Sequence, residues 1–129
     1  MKSIYHLVVQ GYELDSFGHV NNAVYLNYAE SAKWDFFKNT GLYDKIREEG
    51  YFPVILENKL RYMHELCMMD SVVVETVWKC GNSITEYSHV IRNEKTGVIA
   101  CKVSGKLVYV NKERIICDTP DFIKNYMES

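Results

Sequence analysis

Tyr25, Tyr28, Ala29, Ala32 and Phe36 fall at i, i+3, i+4, i+7 and i+11, which is one face of a helix. The spacing predicts a long amphipathic helix from about Asn22 to Lys38, with the pattern taking over at about Ala23. Asn27, Glu30 and Lys33 lie largely off the apolar face. After about residue 52 the chain instead reads with the two-residue period of strands. A single apolar helical face in a strand-rich chain has to be hidden against a sheet. The small Ala29 and Ala32 allow a close approach.

The other elements follow from local signals. Residues 3–11 (S-I-Y-H-L-V-V-Q-G) read as a first strand, with His6 as a residue on the strand face. Gly41 is a natural stop for the long helix, and a short helix from about Leu42 to Glu49 ends at Gly50. Strands are expected over about Phe52–Met63, Ser71–Lys79, Ile84–Arg92 and Val98–Val110. Pro53 sits near the start of its strand, where a missing N–H is tolerated. In the last strand Ile99, Cys101, Val103, Leu107 and Tyr109 share one face, and Lys102, Ser104 and Lys106 the other. Short turns at Gly81-Asn82 and Asn93–Gly97 make the last three strands an antiparallel meander. The tail from about Asp118 has the residues of a helix start.

Ahead of the long helix lies a tight loop with one acid, Asp15, ending in Gly18-His19-Val20-Asn21-Asn22. Either Asn can cap the helix with its side-chain oxygen. A helix start offers unpaired N–H groups and partial positive charge, so a carboxylate just upstream is a candidate reaction centre. The plainer reading of an Asp before a Gly is a turn held by side-chain bonds to nearby N–H groups. Tyr25 and Tyr28 read as core or pocket walls, since an ordinary phenol is a poor proton donor at neutral pH.

The whole word D-x-x-G-H-V-N-N-x-x-Y-L-x-Y-x-E, from Asp15 to Glu30, resembles the Asp-loop signature of hotdog-fold acyl-CoA thioesterases of the 4-hydroxybenzoyl-CoA thioesterase-like family. The element order extends the resemblance over about residues 3–110. It implies an α+β hotdog fold, a curved antiparallel sheet wrapped around one long central helix, as a single domain over residues 1–129. It further implies hydrolysis of an acyl-CoA with Asp15 as nucleophile or general base. Backbone N–H groups near Asn22 to Tyr25 would polarise the carbonyl, and Gly18, His19, Asn22 and Tyr25 would support the loop. His19 and Asn22 read first as loop organisers, and Glu30 is a candidate behind the site. No cofactor is expected beyond the CoA of the substrate. Lys59 and Arg61, two residues apart on one strand face, are candidates for the CoA phosphates; the plain alternative is a solvated face. Lys102 with Lys106, and Lys112 with Arg114, are further pairs. Open strand edges favour a homodimer joined edge to edge, or a homotetramer.

Composition removes other classes. The chain has 129 residues, which suits one domain, and is 47% hydrophobic, too apolar for a disordered chain. Its net charge of −2 gives no global signal for nucleic acid. There is no apolar run of membrane-span length and no signal-peptide pattern. Cys67, Cys80, Cys101 and Cys117 form no C-x-x-C pair and are expected to be mostly small buried thiols in a cytoplasmic protein. No G-x-S-x-G, G-x-G-x-x-G, P-loop or H-E-x-x-H occurs, and the four histidines are scattered, so no metal site is expected. Two rivals to an acyl-CoA hydrolase remain. One is an enzyme acting on acyl groups carried by acyl carrier protein; the other is a module that binds acyl-CoA without turnover.

Overall fold

The computed structural model describes residues 1–128. The elements are β1 (Lys2–Val8), α1 (Val24–Asn39), α2 (Leu42–Glu49), β2 (Phe52–Tyr62), β3 (Ser71–Cys80), β4 (Thr85–Asn93), β5 (Ile99–Val110), β6 (Ile116–Cys117) and α3 (Asp121–Glu128). The strands form one antiparallel sheet in the order β1-β3-β4-β5-β2, with β6 added on β5. The β3-β4-β5 meander is the expected one. The tail helix begins three residues later than the Asp118 signal, and the two-residue β6 has no sequence signature of its own.

The predicted helical face is the buried one. Tyr25, Tyr28, Ala29 and Ala32 pack with Val72, Val74, Ile91 and Val103 of the sheet. One turn further, Phe36 and Phe37 join Trp78, Tyr87, Leu107 and Tyr109. Phe36 stacks on Trp78 at 4.8 Å between ring centres. Ile46 of α2 with Ile123 and Met127 of α3 complete this second cluster. Trp34 and Phe52 are exposed.

Lys33 departs from the sequence expectation. It is only 5% exposed and pairs with Glu30 at 2.5 Å. The thiols also differ from expectation. Cys101 alone is buried, Cys80 and Cys117 are half-buried, and Cys67 is exposed on the loop after β2.

A bulge in β2 between Ile55 and Glu57 shifts the alternation. Ile55 and, beyond the bulge, Asn58, Leu60 and Tyr62 then share the inner face toward α1. Glu57, Lys59 and Arg61 point outward, opposite Lys106, Ser104 and Lys102 of β5. His6 lies on the outer face of β1 and pairs with Glu94 at 2.5 Å.

Candidate active site

The loop between β1 and α1 is built from its own backbone. The Asp15 N–H donates to the His19 carbonyl at 2.8 Å and the Gly18 N–H to the Asp15 carbonyl at 3.1 Å, while Leu14 and Val20 form a bridge. This tight reversal needs a left-handed residue, which Gly18 supplies at φ +79°. The loop is then fastened at both ends by Glu13. Its carbonyl accepts from the Asn21 N–H at 2.9 Å, and its carboxylate accepts from the Tyr28 hydroxyl at 2.9 Å and the Gln10 N–H at 2.7 Å.

Asp15 is half-buried at the mouth of this reversal. One carboxylate oxygen, Oδ1, accepts from the Phe17 N–H at 2.9 Å and the His19 N–H at 3.2 Å. The turn-making use of Asp15 is therefore real, and it occupies only half of the group. Oδ2 has no hydrogen-bond partner among the described residues.

The N-cap of α1 is Ala23, without a side-chain cap bond, and Asn21 makes the turn leading into it. The Asn21 side-chain oxygen accepts from the Ala23 N–H at 3.0 Å and its carbonyl from the Val24 N–H at 2.9 Å. Asn22 contributes its carbonyl, which accepts from the Tyr62 hydroxyl at 3.1 Å. His19 organises the loop through its backbone, including a bridge to Cys67; its ring makes no hydrogen bond among the described residues. The expected loop-organising imidazole and Asn22 amide are thus replaced by backbone groups and by the Asn21 side chain.

A cavity of about 270 Å³ joins these parts. Asp15, His19, Asn22 and Tyr25 line it from the loop and helix side. Tyr62, His64 and Glu65, from the end of β2 and the segment after it, line the other. The Tyr25 ring meets the Tyr62 ring edge-on at 5.6 Å. Burial pushes the Tyr25 phenol up to about 12, so it stays protonated at neutral pH. A bond to its own backbone N–H, with His64 beside it and His19 near it, holds Glu65 below the usual carboxylate range. His64 and Glu65 carry no motif of their own in the sequence, and only the folded chain brings them to Asp15, as it brings Tyr28 to the Glu13 latch.

Other expected residues lie elsewhere. Glu30 is not in this cavity; it pairs with Lys33 one to two turns further along α1. Lys59 lines a separate outer-face hollow of about 490 Å³ with Lys79, Glu86 and Lys106. Arg61 is outward too, across from Lys102. Among the described residues no group of three or more His, Cys, Asp or Glu side chains could hold a metal. No helix among them is long and apolar enough to cross a membrane.

A helix on one face of an antiparallel sheet, with an acid loop at the helix start, is the architecture of hotdog-fold proteins. The chain belongs to the thioesterase-like superfamily, whose model matches residues 9–126. It is 37% identical over 70 residues, 54% of this chain, to an Arabidopsis thaliana protein named chloroplastic acyl-acyl carrier protein thioesterase ATL3. It is 30% identical over 66 residues, 51% of this chain, to the Escherichia coli long-chain acyl-CoA thioesterase FadM. The chain spans 37% and 50% of the lengths of these two curated relatives. Among solved structures, a putative thioesterase from Pseudomonas aeruginosa, PA2801, superposes with a TM-score of 0.84 at 29% identity, covering 96% of each chain.

Proposed function

We propose that the protein is a thioester hydrolase that cleaves an acyl-CoA to the free acid and CoA, with Asp15 as its catalytic carboxylate. The observation that carries this reading is the division of the Asp15 carboxylate. Oδ1 is fixed by two N–H groups while Oδ2 is left without a protein partner in a cavity at the start of α1. A fixed carboxylate with one free oxygen can attack a thioester carbonyl to give a mixed anhydride, or take a proton from an attacking water. Membership of the thioesterase-like superfamily and the likeness to FadM support the substrate class.

The carbonyl oxygen needs donors as it becomes negative. Of the N–H groups from Asn22 to Tyr25, those of Ala23 and Val24 are already used by Asn21. That leaves Asn22 and Tyr25, both of which line the cavity, as the oxyanion donors. The leaving thiolate departs toward Tyr62, and the CoA handle then turns around the β2 edge to reach Arg61 and Lys59 on the outer face. β2 has a neighbour on one side only and exposes Phe52, Val54 and Leu56. Pairing of two copies along this edge would remove an open strand edge and set a second chain beside the Tyr62 end of the cavity. The single hotdog domain is therefore proposed to act as a homodimer or a homotetramer.

Thiol release from a panel of acyl-CoAs, with the same acyl groups on acyl carrier protein in parallel, tests the reading. Turnover of at least one acyl-CoA, faster than its carrier-protein counterpart, is expected. Faster turnover of the carrier-bound acyl groups would transfer the activity to that substrate class, as the likeness to ATL3 suggests. Binding of acyl-CoA with no turnover of any member would refute hydrolysis.

A further inference from the structure

A second, smaller hollow lies on the same seam between α1 and β2 as the Asp15 cavity. Leu26, Ala29, Glu30 and Lys33 line it from the helix, and Asn58, Tyr87 and His89 from the sheet. The Asp15 cavity uses Asn22 and Tyr25 of α1 and Tyr62 of β2. The hollow therefore begins one helical turn further on, and its far wall at Lys33 is roughly 12 Å along the axis from Tyr25. It holds about 10 Å³, room for one water-sized group.

Its chemistry is unusual for the interior of a small protein. Lys33 is 5% and His89 2% exposed. Most polar side chains around it have one recorded bond or ion pair. The Lys33 ammonium pairs with the Glu30 carboxylate at 2.5 Å. The Tyr87 hydroxyl donates to the Asn58 side-chain oxygen. His89 Nδ1 and the Thr76 hydroxyl are 2.7 Å apart. His89 Nε2 has no hydrogen-bond partner among the described residues. Burial, with Lys33 adding to it, lowers the His89 pKa to about 4, so the ring is neutral and Nε2 is a donor in one tautomer and an acceptor in the other.

We propose that this hollow is the far end of the acyl site and that it selects acyl groups bearing a hydroxyl there, received by His89 Nε2. The assignment rests on the thioesterase reading above. A hydroxyl is the group that fits, for three reasons. It both donates and accepts, so it satisfies either His89 tautomer. It is a single polar atom, which the volume admits, whereas a carboxylate brings two oxygens. It is neutral, and so is not opposed by Glu30 as an anion would be. An alkyl end placed here would bury Nε2 without a partner, which is unfavourable.

The test compares kcat/KM for ω-hydroxyacyl-CoAs and their alkyl parents, from six to twelve carbons. At one chain length the hydroxylated member should be favoured by roughly tenfold or more. Thr76→Val/His89→Leu, which removes both partners of the internal bond, should bring that ratio near one. His89→Gln, which keeps a hydrogen-bonding side chain, should retain most of it. Leu26→Phe, at an exposed position, should also lower the ratio by blocking the hollow without touching its polar groups, and serves if the double variant does not fold. A wild-type ratio of one or less at every length would overturn the assignment, as would a ratio unmoved by the double variant and by Leu26→Phe. If no thioester is turned over, the hydrolase reading fails separately. Binding of thioether analogues then decides: a hydroxyl preference that the variants abolish supports the assignment, and equal or absent binding overturns it.

Discussion

Burial of a neutral His89 makes stability depend on pH in a definite direction. An unfolded histidine titrates near its ordinary value of about 6.5, whereas the folded His89 is lowered to about 4, first by burial and then by Lys33. Glu30 opposes the shift, Thr76 and Tyr87 are neutral neighbours, and Trp78 packs on the ring edge-on at 6.2 Å. Between these two values the unfolded chain holds a proton that the folded chain does not. The stabilisation is therefore complete above about pH 6.5 and is lost as the pH falls toward 4. At about 1.4 kcal/mol per pKa unit the loss comes to about 3 kcal/mol, a large share of the ~5–15 kcal/mol typical of a domain. Surface carboxylates also titrate in this range, so the quantity to read is the difference between wild type and Thr76→Val/His89→Leu. Urea unfolding at pH 7, 6, 5 and 4.5, extrapolated to water, should show wild type losing stability relative to the variant by about 2–3 kcal/mol across the series. A difference that stays constant within about 0.5 kcal/mol, beyond the effect of the variant itself at pH 7, would refute a neutral buried imidazole.

Two further substitutions probe the frame around the sites. Tyr28→Phe removes the hydroxyl that donates to Glu13 and leaves the ring; it should cost about 1–2 kcal/mol in chemical unfolding and lower turnover by loosening the loop that holds Asp15. Unchanged stability and unchanged turnover would show that the Glu13 latch does not tie the loop to α1. Gly105→Ala places a methyl group against the Tyr87 hydroxyl and the Asn58 side-chain oxygen, so the strand trio Tyr87-Gly105-Asn58 must open. A loss of about 1–3 kcal/mol is expected in the same assay, and a neutral result would mean that Tyr87 and Asn58 are free to move apart.

Much of this fold is legible in the sequence because periodicity survives tertiary contact. The stripe from Tyr25 to Phe36 and the alternation in β5 needed no further information to place the core. What was hidden came from interactions that override local pattern. Lys33 carries a charge that pattern rules send outward, yet it lies inside, paired with Glu30. The β2 bulge at Leu56 breaks the alternation that would otherwise have assigned the faces of Phe52–Tyr62. Adjacent Asn21 and Asn22 are equally good caps by type, yet the N-cap is Ala23 and Asn21 serves the turn before it. Within the site, Asp15 and Gly18 stand out in a short motif. His64 and Glu65 reach Asp15 only through pairing of distant segments, such as the Val20 N–H to the Leu66 carbonyl at 2.9 Å, and short-range sequence signals do not report such pairing.

If the free oxygen of Asp15 does the chemistry, Asp15→Asn removes it. The amide oxygen of Asn can still accept from the Phe17 and His19 N–H groups, so the loop is kept while the second oxygen becomes an NH₂. The measurement is kcat on the acyl-CoA that wild type hydrolyses fastest, with circular dichroism and CoA affinity recorded on the same preparations. A fall of at least ~10²-fold in kcat, with fold and CoA affinity unchanged, is the predicted result. Turnover within about threefold of wild type would contradict the account and leave Asp15 as a turn residue only.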